Sequence, residues 1–408
     1  MSYLANNCRH LVPGFLLMVL PGLLMAADQG RLAQLVGNGS VMLRTPDGEE
    51  LVSINPTLSL TPASVLKLPL AQVALSVLGE DFRFETHFYQ NDNGDLLVRG
   101  LGDPFLVSEE IELIAEQLAQ LGISEVRRLI MDDSAFEPAP DLPIESGALD
   151  PYAARNSALA VNFNTVNLAW APSGELRSGE PQTPLTPMAR ELATQVSAGT
   201  PQRINVGQNP ETGLRQAQQL FSIFLESAGI AVIDNEFYRQ AVNDNWTLVY
   251  PHRSSRSLRD NLEGLLRYSN NFIANQLFLT IGAQEHGYPA TAVTAREVLQ
   301  QTLTSLYGAG VGSDPSKLLM IEGSGLGRSQ RTTAATMMAI LDTFLPYADL
   351  LPEQDDSLRK SGTLTGVYNY AGYISRTDGL YPFVILTSQP ANNRDTILRL
   401  LQREIAAR

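Results

Sequence analysis

The apolar positions of this chain change period several times, and each change marks a different kind of element. Residues 40–44 and 50–54 carry apolar runs on either side of Thr45-Pro46-Asp47-Gly48, which predicts a hairpin around a Pro-Asp-Gly turn. After Leu60-Thr61-Pro62-Ala63-Ser64, the residues Leu66, Leu70, Val73, Ala74 and Val77 recur at helical spacing as far as Gly79. The first turn of that helix contains Ser64 and Lys67, and a separation of three puts both side chains on one face.

From Phe82 the pattern turns to short alternation. Residues 82–89 and 95–99 read as strands joined at Asn93-Gly94, and Gly100-Leu101-Gly102-Asp103-Pro104 closes them. A capped helix over 108–121, a strand at 129–131, a proline-rich stretch over 138–151 and strands over 159–170 follow. Proline and glycine cluster over 172–187 as a loop or small subdomain, then come a helix over 214–228 and a short strand over 230–233. Residues 82–245 thus read as an inserted α+β unit. Beyond it, Leu258, Leu262, Leu265 and Leu266 mark a helix running towards Tyr268-Ser269-Asn270-Asn271. Further helices are predicted over 290–306, 332–344 and 396–407, and two late strands over 367–374 and 381–387.

Length and a 44% hydrophobic share exclude a disordered chain and allow about two to three domains. Arg9 and His10 precede an apolar run over 11–24, and Ala26-Ala27 follows it, which reads as a signal peptide over 1–26. The run is interrupted by Pro13, Gly14, Pro21 and Gly22 and falls short of the ~20 residues of a spanning helix, so no stable membrane span is expected. Export is the resulting expectation. Cys8, the single cysteine, precedes the apolar run, so the mature chain would have no disulfide and must rely on its core. A net charge of −14 argues against nucleic acid as a partner. His10, His87, His252 and His286 show neither metal-ligand spacing nor a Gly-x-Ser-x-Gly elbow, and no cofactor or metal is expected. No feature of the sequence sets an oligomeric state.

The chemistry is carried by residues that composition makes conspicuous. Of 29 basic residues only Lys67, Lys317 and Lys360 are lysines. A guanidinium keeps its proton in a protein, whereas a lysine amine can be tuned into a base. A serine hydroxyl needs such a base to become a nucleophile, and Ser64-Val65-Leu66-Lys67 supplies one a helical turn away. Taken alone, Ser64 reads more readily as an ordinary helix N-cap than as a nucleophile, and Ser357-Leu358-Arg359-Lys360 repeats the spacing with a serine expected in a loop. Ser269-x-Asn271 can present a hydroxyl and an amide from a loop between helices, or serve as a polar cap. Lys360-Ser361-Gly362 offers a cation, a hydroxyl and a close backbone approach, or a solvated edge-strand lysine.

In chain order these three pieces form the motif set of penicillin-recognising serine enzymes. Further text resembles one branch: Thr61-Pro62-Ala63-Ser64, Gly102-Asp103-Pro104, Ser157-Ala158-Leu159-Ala160-Val161-Asn162-Phe163-Asn164, Tyr268-Ser269-Asn270-Asn271-Phe272-Ile273-Ala274, Gly323-Ser324-Gly325-Leu326 and Gly366-Val367-Tyr368-Asn369-Tyr370-Ala371-Gly372-Tyr373. Over nearly the whole mature chain it is similar to the class C penicillin-binding proteins, the D-Ala-D-Ala carboxypeptidase/endopeptidase family.

That resemblance implies an α+β fold, an antiparallel sheet flanked by helices, formed by residues 27–81 and 246–408 and split by the insertion 82–245. It implies Ser64 as the acylated serine, Lys67 as its base and Ser269 as a proton relay. Asn271, Lys360, Ser361, Gly362 and Thr363 would bind substrate, with Lys360 on its carboxylate and the backbone N–H groups of Ser64 and Thr363 as oxyanion hole. Peptidoglycan stem peptides or cross-links and β-lactam antibiotics are the implied partners. A β-lactamase, a catalytically silent wall-binding protein and a general serine hydrolase are the competing readings. The chain departs from the family pattern at Ser361, where threonine is usual, at Glu322, where aspartate is common, and in a short segment before Lys360. Asp132 and Asp133 are expected to be structural.

Overall fold

The computed structural model describes residues 30–137, 142 and 149–407. The expected signal peptide, Cys8 and most of the proline-rich stretch lie outside them. Chain start and chain end meet in one six-stranded antiparallel sheet. Its order is Glu353–Gln354, Ser357–Leu364, Val367–Arg376, Gly379–Thr387, Gly39–Arg44, Glu50–Ile54. Period-two alternation gives the sheet two apolar faces. Val41, Leu43, Phe383 and Ile385 pack with Leu32, Val36 and the terminal helix Arg394–Ala406. Their neighbours Met42, Val384 and Leu386 join the main helical core on the other side.

That core surrounds the helix Lys67–Leu78, whose residues Lys67 to Leu75 are all buried. Sequence periodicity marks one apolar stripe on it, but neighbours cover the remaining faces too. Helix Asn271–His286 is likewise buried continuously from Phe272 to Ala283, alongside Leu258–Tyr268, Ala292–Tyr307 and Ala334–Phe344. Thr333 caps the last of these through Thr336 N.

The middle region builds a second, mixed sheet ordered Thr247–Ser257, Arg83–Gln90, Leu96–Gly100, Glu125–Asp132, Ala231–Arg239. The two parallel pairs in it require crossovers, supplied by the helices Ser108–Gln120 and Pro210–Ser227. A small sheet of Leu176–Ser178, Thr165–Trp170 and Gln202–Asn205 occupies the proline- and glycine-rich stretch and its surroundings.

Several local expectations need correction. Strand Thr247–Ser257 pairs with Arg83–Gln90, so the middle sheet runs past residue 245, where the sequence pattern ends the insert. Ser108 does not cap its helix: it is buried, its N–H donates to Asn162 Oδ1, and its hydroxyl meets Thr183. Residues 159–164 form no strand, because Asn162, Phe163 and Asn164 all adopt left-handed backbone (φ +48, +62 and +52). Ser357 sits inside a strand and is fully buried, rather than in a loop.

Candidate active site

Ala63–Leu66 forms a tight 3-10 turn that leads directly into the helix beginning at Lys67. Ala63 takes a left-handed conformation (φ +48), which costs an alanine about 1–2 kcal/mol and persists only where surroundings enforce it. They do so here. Asn369 donates through Nδ2 to Thr61 O at 2.9 Å and Pro62 O at 2.8 Å, while accepting from Thr387 N. Gly362 backs onto the same turn: a Cβ there would stand 2.7 Å from Pro62 O and 3.1 Å from Ser64 N. The glycine of Lys360-Ser361-Gly362 is therefore a steric requirement of bringing the strand against the serine turn.

Lys67 has no exposed surface. Its Nζ lies 3.0 Å from Ser64 Oγ, donates to Asn271 Oδ1 at 2.9 Å and donates to the Ser324 carbonyl. Burial lowers its pKa well below the usual lysine range, the charge of Lys360 lowers it further, and Glu322 opposes both. Glu322 is buried and anchors the 323–327 loop, accepting from Ser324 N, Gly325 N and Gln330 Nε2. Sequence reading marked Glu322 only as a departure. Its structural effect is to fix the carbonyl that Lys67 meets.

Lys360 is 1% exposed, so it is not a solvated edge lysine. Its Nζ donates to Ser361 O at 3.0 Å, and burial followed by the charge of Arg394 brings its pKa down to about 8. Thr363 is exposed and accepts from Arg394 Nη1 at 2.7 Å. Ser269 terminates helix Leu258–Tyr268 in a left-handed conformation (φ +54), and its hydroxyl makes no hydrogen bond among the described residues. Two residues on, Asn271 Nδ2 reaches Tyr152 O at 3.4 Å.

The structure thus brings Ser64, Lys67 and Asn271 into one hydrogen-bonded group and lays the strand carrying Lys360, Ser361, Gly362 and Thr363 against the serine turn. Ser269 flanks this group without bonding to it. Missed by sequence were Asn369, Arg394, Gln330 and the Ser324 carbonyl. Asn369 stood within a quoted motif, but Arg394 and Gln330 carry no signal of their own. Asp132 accepts from Ser134 N and Val242 N, and Asp133 pairs with Arg239, both structural contacts. Among the described residues, no cluster of three or more His, Cys, Asp or Glu could hold a metal, and no helix is long and apolar enough to cross a membrane.

A sheet covered on both faces by helices, with a serine on the tight turn that leads into the central helix and a buried lysine at that helix's start, defines the penicillin-binding class of fold. Penicillin-binding protein 4 (dacB) from Haemophilus influenzae superposes with a TM-score of 0.72 over 92% of this chain and 98% of that one, at 19% identity. A predatory endopeptidase from Bdellovibrio bacteriovorus matches at 0.51 over 90% of this chain and 92% of that chain, at 16% identity. The model of the D-Ala-D-Ala carboxypeptidase 3 (S13) family matches residues 25–211 and 197–352, and the chain belongs to that family of peptidases. It is 28% identical to a D-alanyl-D-alanine carboxypeptidase of Actinomadura sp., across 86% of this chain and 77% of that protein.

Proposed function

We propose that the protein is an exported, periplasmic serine D-Ala-D-Ala carboxypeptidase or D-alanyl endopeptidase that acts on peptidoglycan stem peptides and is acylated by penicillins at Ser64. The observation that carries this reading is the set of three partners around Lys67 Nζ. Two of them, the Asn271 carboxamide oxygen and the Ser324 carbonyl, only accept. A neutral amine has two N–H bonds and one lone pair, so those acceptors take both N–H groups and leave the lone pair for the Ser64 proton.

Ser64 Oγ attacks the carbonyl of the penultimate D-alanine, its proton passes to Lys67, and the backbone N–H groups of Ser64 and Thr363 hold the developing oxyanion. Ser269 relays the proton to the leaving amine, whose departure leaves the ester on Ser64. Water then attacks that ester and frees the serine. Asn271 orients the substrate amide and Lys67 together. Lys360, which lies beyond the family match, binds the terminal carboxylate with Ser361, Gly362 and Thr363 lining the strand beside it. We place the catalytic unit at residues 27–81 with the helices and sheet from Leu258 onward, the insert extending to Ser257.

Intact-mass spectrometry after benzylpenicillin exposure tests this reading. One adduct is expected on the wild type and none on Ser64→Ala; an adduct that survives the substitution overturns the assignment. Rapid turnover of a chromogenic cephalosporin would instead make the protein a β-lactamase.

A further inference from the structure

Away from the serine turn, a pocket lies within the insert, between residues 155–159 and the start of helix Pro210–Ser227, and it gathers polar groups that have no partner among the described residues. Arg155 lines it, and among the described residues its guanidinium takes part in no hydrogen bond or ion pair. The acid nearest in charge, Asp133, is already taken by Arg239 through two bonds of 2.9 and 3.0 Å. Asn164 is 4% exposed; its Nδ2 donates to the Arg155 carbonyl at 2.8 Å, which leaves Oδ1 buried and unpaired. Ser157 Oγ, on the same wall, is also buried and unpaired.

The nearby start of helix Pro210–Ser227 does not supply the missing bonds. Asn209 accepts from Glu211 N, the Thr212 N–H goes to Asn209 O, and Pro210 has no N–H. The opening therefore offers, with Asp133 and Glu137 also on its lining, the Arg155 cation and a buried acceptor oxygen, a pairing that calls for an anionic group and a hydrogen-bond donor on one ligand. A peptide C-terminal residue satisfies it: its carboxylate suits the planar guanidinium, and its amide N–H suits an unpaired carboxamide oxygen.

We propose that this pocket is a second recognition site, for the C-terminal residue of a peptide, with Arg155 on its carboxylate, Asn164 Oδ1 on its amide N–H and Ser157 beside them. A direct link joins it to the serine site. Asn156 donates to Phe272 O and Gln276 Oε1 on the helix that starts at Asn271, and Tyr152 O meets Asn271 Nδ2. The site itself follows from these residues alone; its natural occupant as a neighbouring wall stem peptide rests on the proposed function.

Calorimetric titration of the mature protein with N-acetyl-D-alanine, acetate and inorganic phosphate tests the pocket. Saturable binding of N-acetyl-D-alanine is expected, tighter than that of acetate or phosphate and weakened about tenfold or more in Arg155→Gln. Thermal unfolding checks that this variant folds; if it does not, Arg155→Lys, which keeps the charge but loses the two-pronged fork, is expected to weaken binding less than tenfold. A crystal soaked in N-acetyl-D-alanine should show it at Arg155. Absence of saturable binding, equal affinity for Arg155→Gln, acetate or phosphate binding as tightly, or density only beside Lys360 each overturns the proposal. Failure of benzylpenicillin to label the wild type would strike the proposed function and leave this titration standing.

Discussion

Two buried charged clusters in this molecule differ in one respect that decides their chemistry. In the serine cleft, Lys67 and Lys360 are like charges, and burial lowers both pKa values, with the charge of Glu322 only partly opposing this at Lys67. In the insert, Glu110 is met by His252 Nε2 at 2.8 Å, by Ser255 N at 2.7 Å and by Ser255 Oγ at 2.6 Å. Burial alone would raise its pKa, but those contacts bring it below the usual carboxylate range. Burial perturbs both clusters; the partners decide whether the result is a reactive amine or a satisfied strut.

The largest test of this contrast is Lys67→Arg. A guanidinium cannot surrender its proton, so the rate of benzylpenicillin acylation should fall by about 10²–10⁴. Retained acylation would show that the base lies elsewhere. In the proposed mechanism Lys360 supplies only its charge, so Lys360→Ala should raise KM for a D-Ala-D-Ala peptide by roughly 10–100-fold, and Lys360→Arg should raise it less.

The pH profile follows from the same two amines. In the proposed mechanism acylation needs Lys67 neutral, so activity should rise with pH through its lowered pKa, and carboxylate recognition needs Lys360 charged, so kcat/KM should fall above about pH 8. A bell is expected in kcat/KM, and the alkaline limb should vanish in Lys360→Arg.

In the insert, Glu110→Ala should leave benzylpenicillin labelling in place yet lower Tm, since it strips three donors of their acceptor, at a cost of about 2–4 kcal/mol. The smallest effect belongs to Asp103, whose carboxyl is pushed up to about 6, mainly by burial, and whose Oδ2 is unpaired. The native state holds that proton more tightly than the unfolded chain, so stability from this group is full below about pH 4 and is lost as pH rises through about 6. Asp103→Asn should flatten that slope in urea unfolding measured between pH 4 and 7; an unchanged slope would move the effect to another group.

Sequence legibility followed exposure. The helix Leu258–Tyr268, with one wet face, announced itself by period, whereas the hairpin at 39–54, whose first strand is buried on both faces, was marked by its Pro-Asp-Gly turn. Helix Asn271–His286 has no polar face over most of its length and so shows no period to read. Strand Thr247–Ser257 is polar and half-exposed, with Pro251 inside it, and looks like loop. At the site, the serine, lysines and amide were legible because their spacing is local. Asn369 and Arg394 act across long separations, and Glu322 and Gln330 across an irregular loop, through side-chain hydrogen bonds that leave no periodic pattern.

The order of the six-stranded sheet has a consequence for synthesis. Strand Gly39–Arg44, made early, has Gly379–Thr387 as its inner neighbour, and the strand bearing Lys360 reaches it only through Val367–Arg376 and Gly379–Thr387. The lysine strand touches the serine turn directly, but the sheet that ties it to Gly39–Arg44 is complete only once Val367–Arg376 and Gly379–Thr387 have been made. A growing chain carries Ser64 and Lys67 for most of its synthesis while the strand opposite them does not yet exist, so acylation competence is a property of the finished polypeptide.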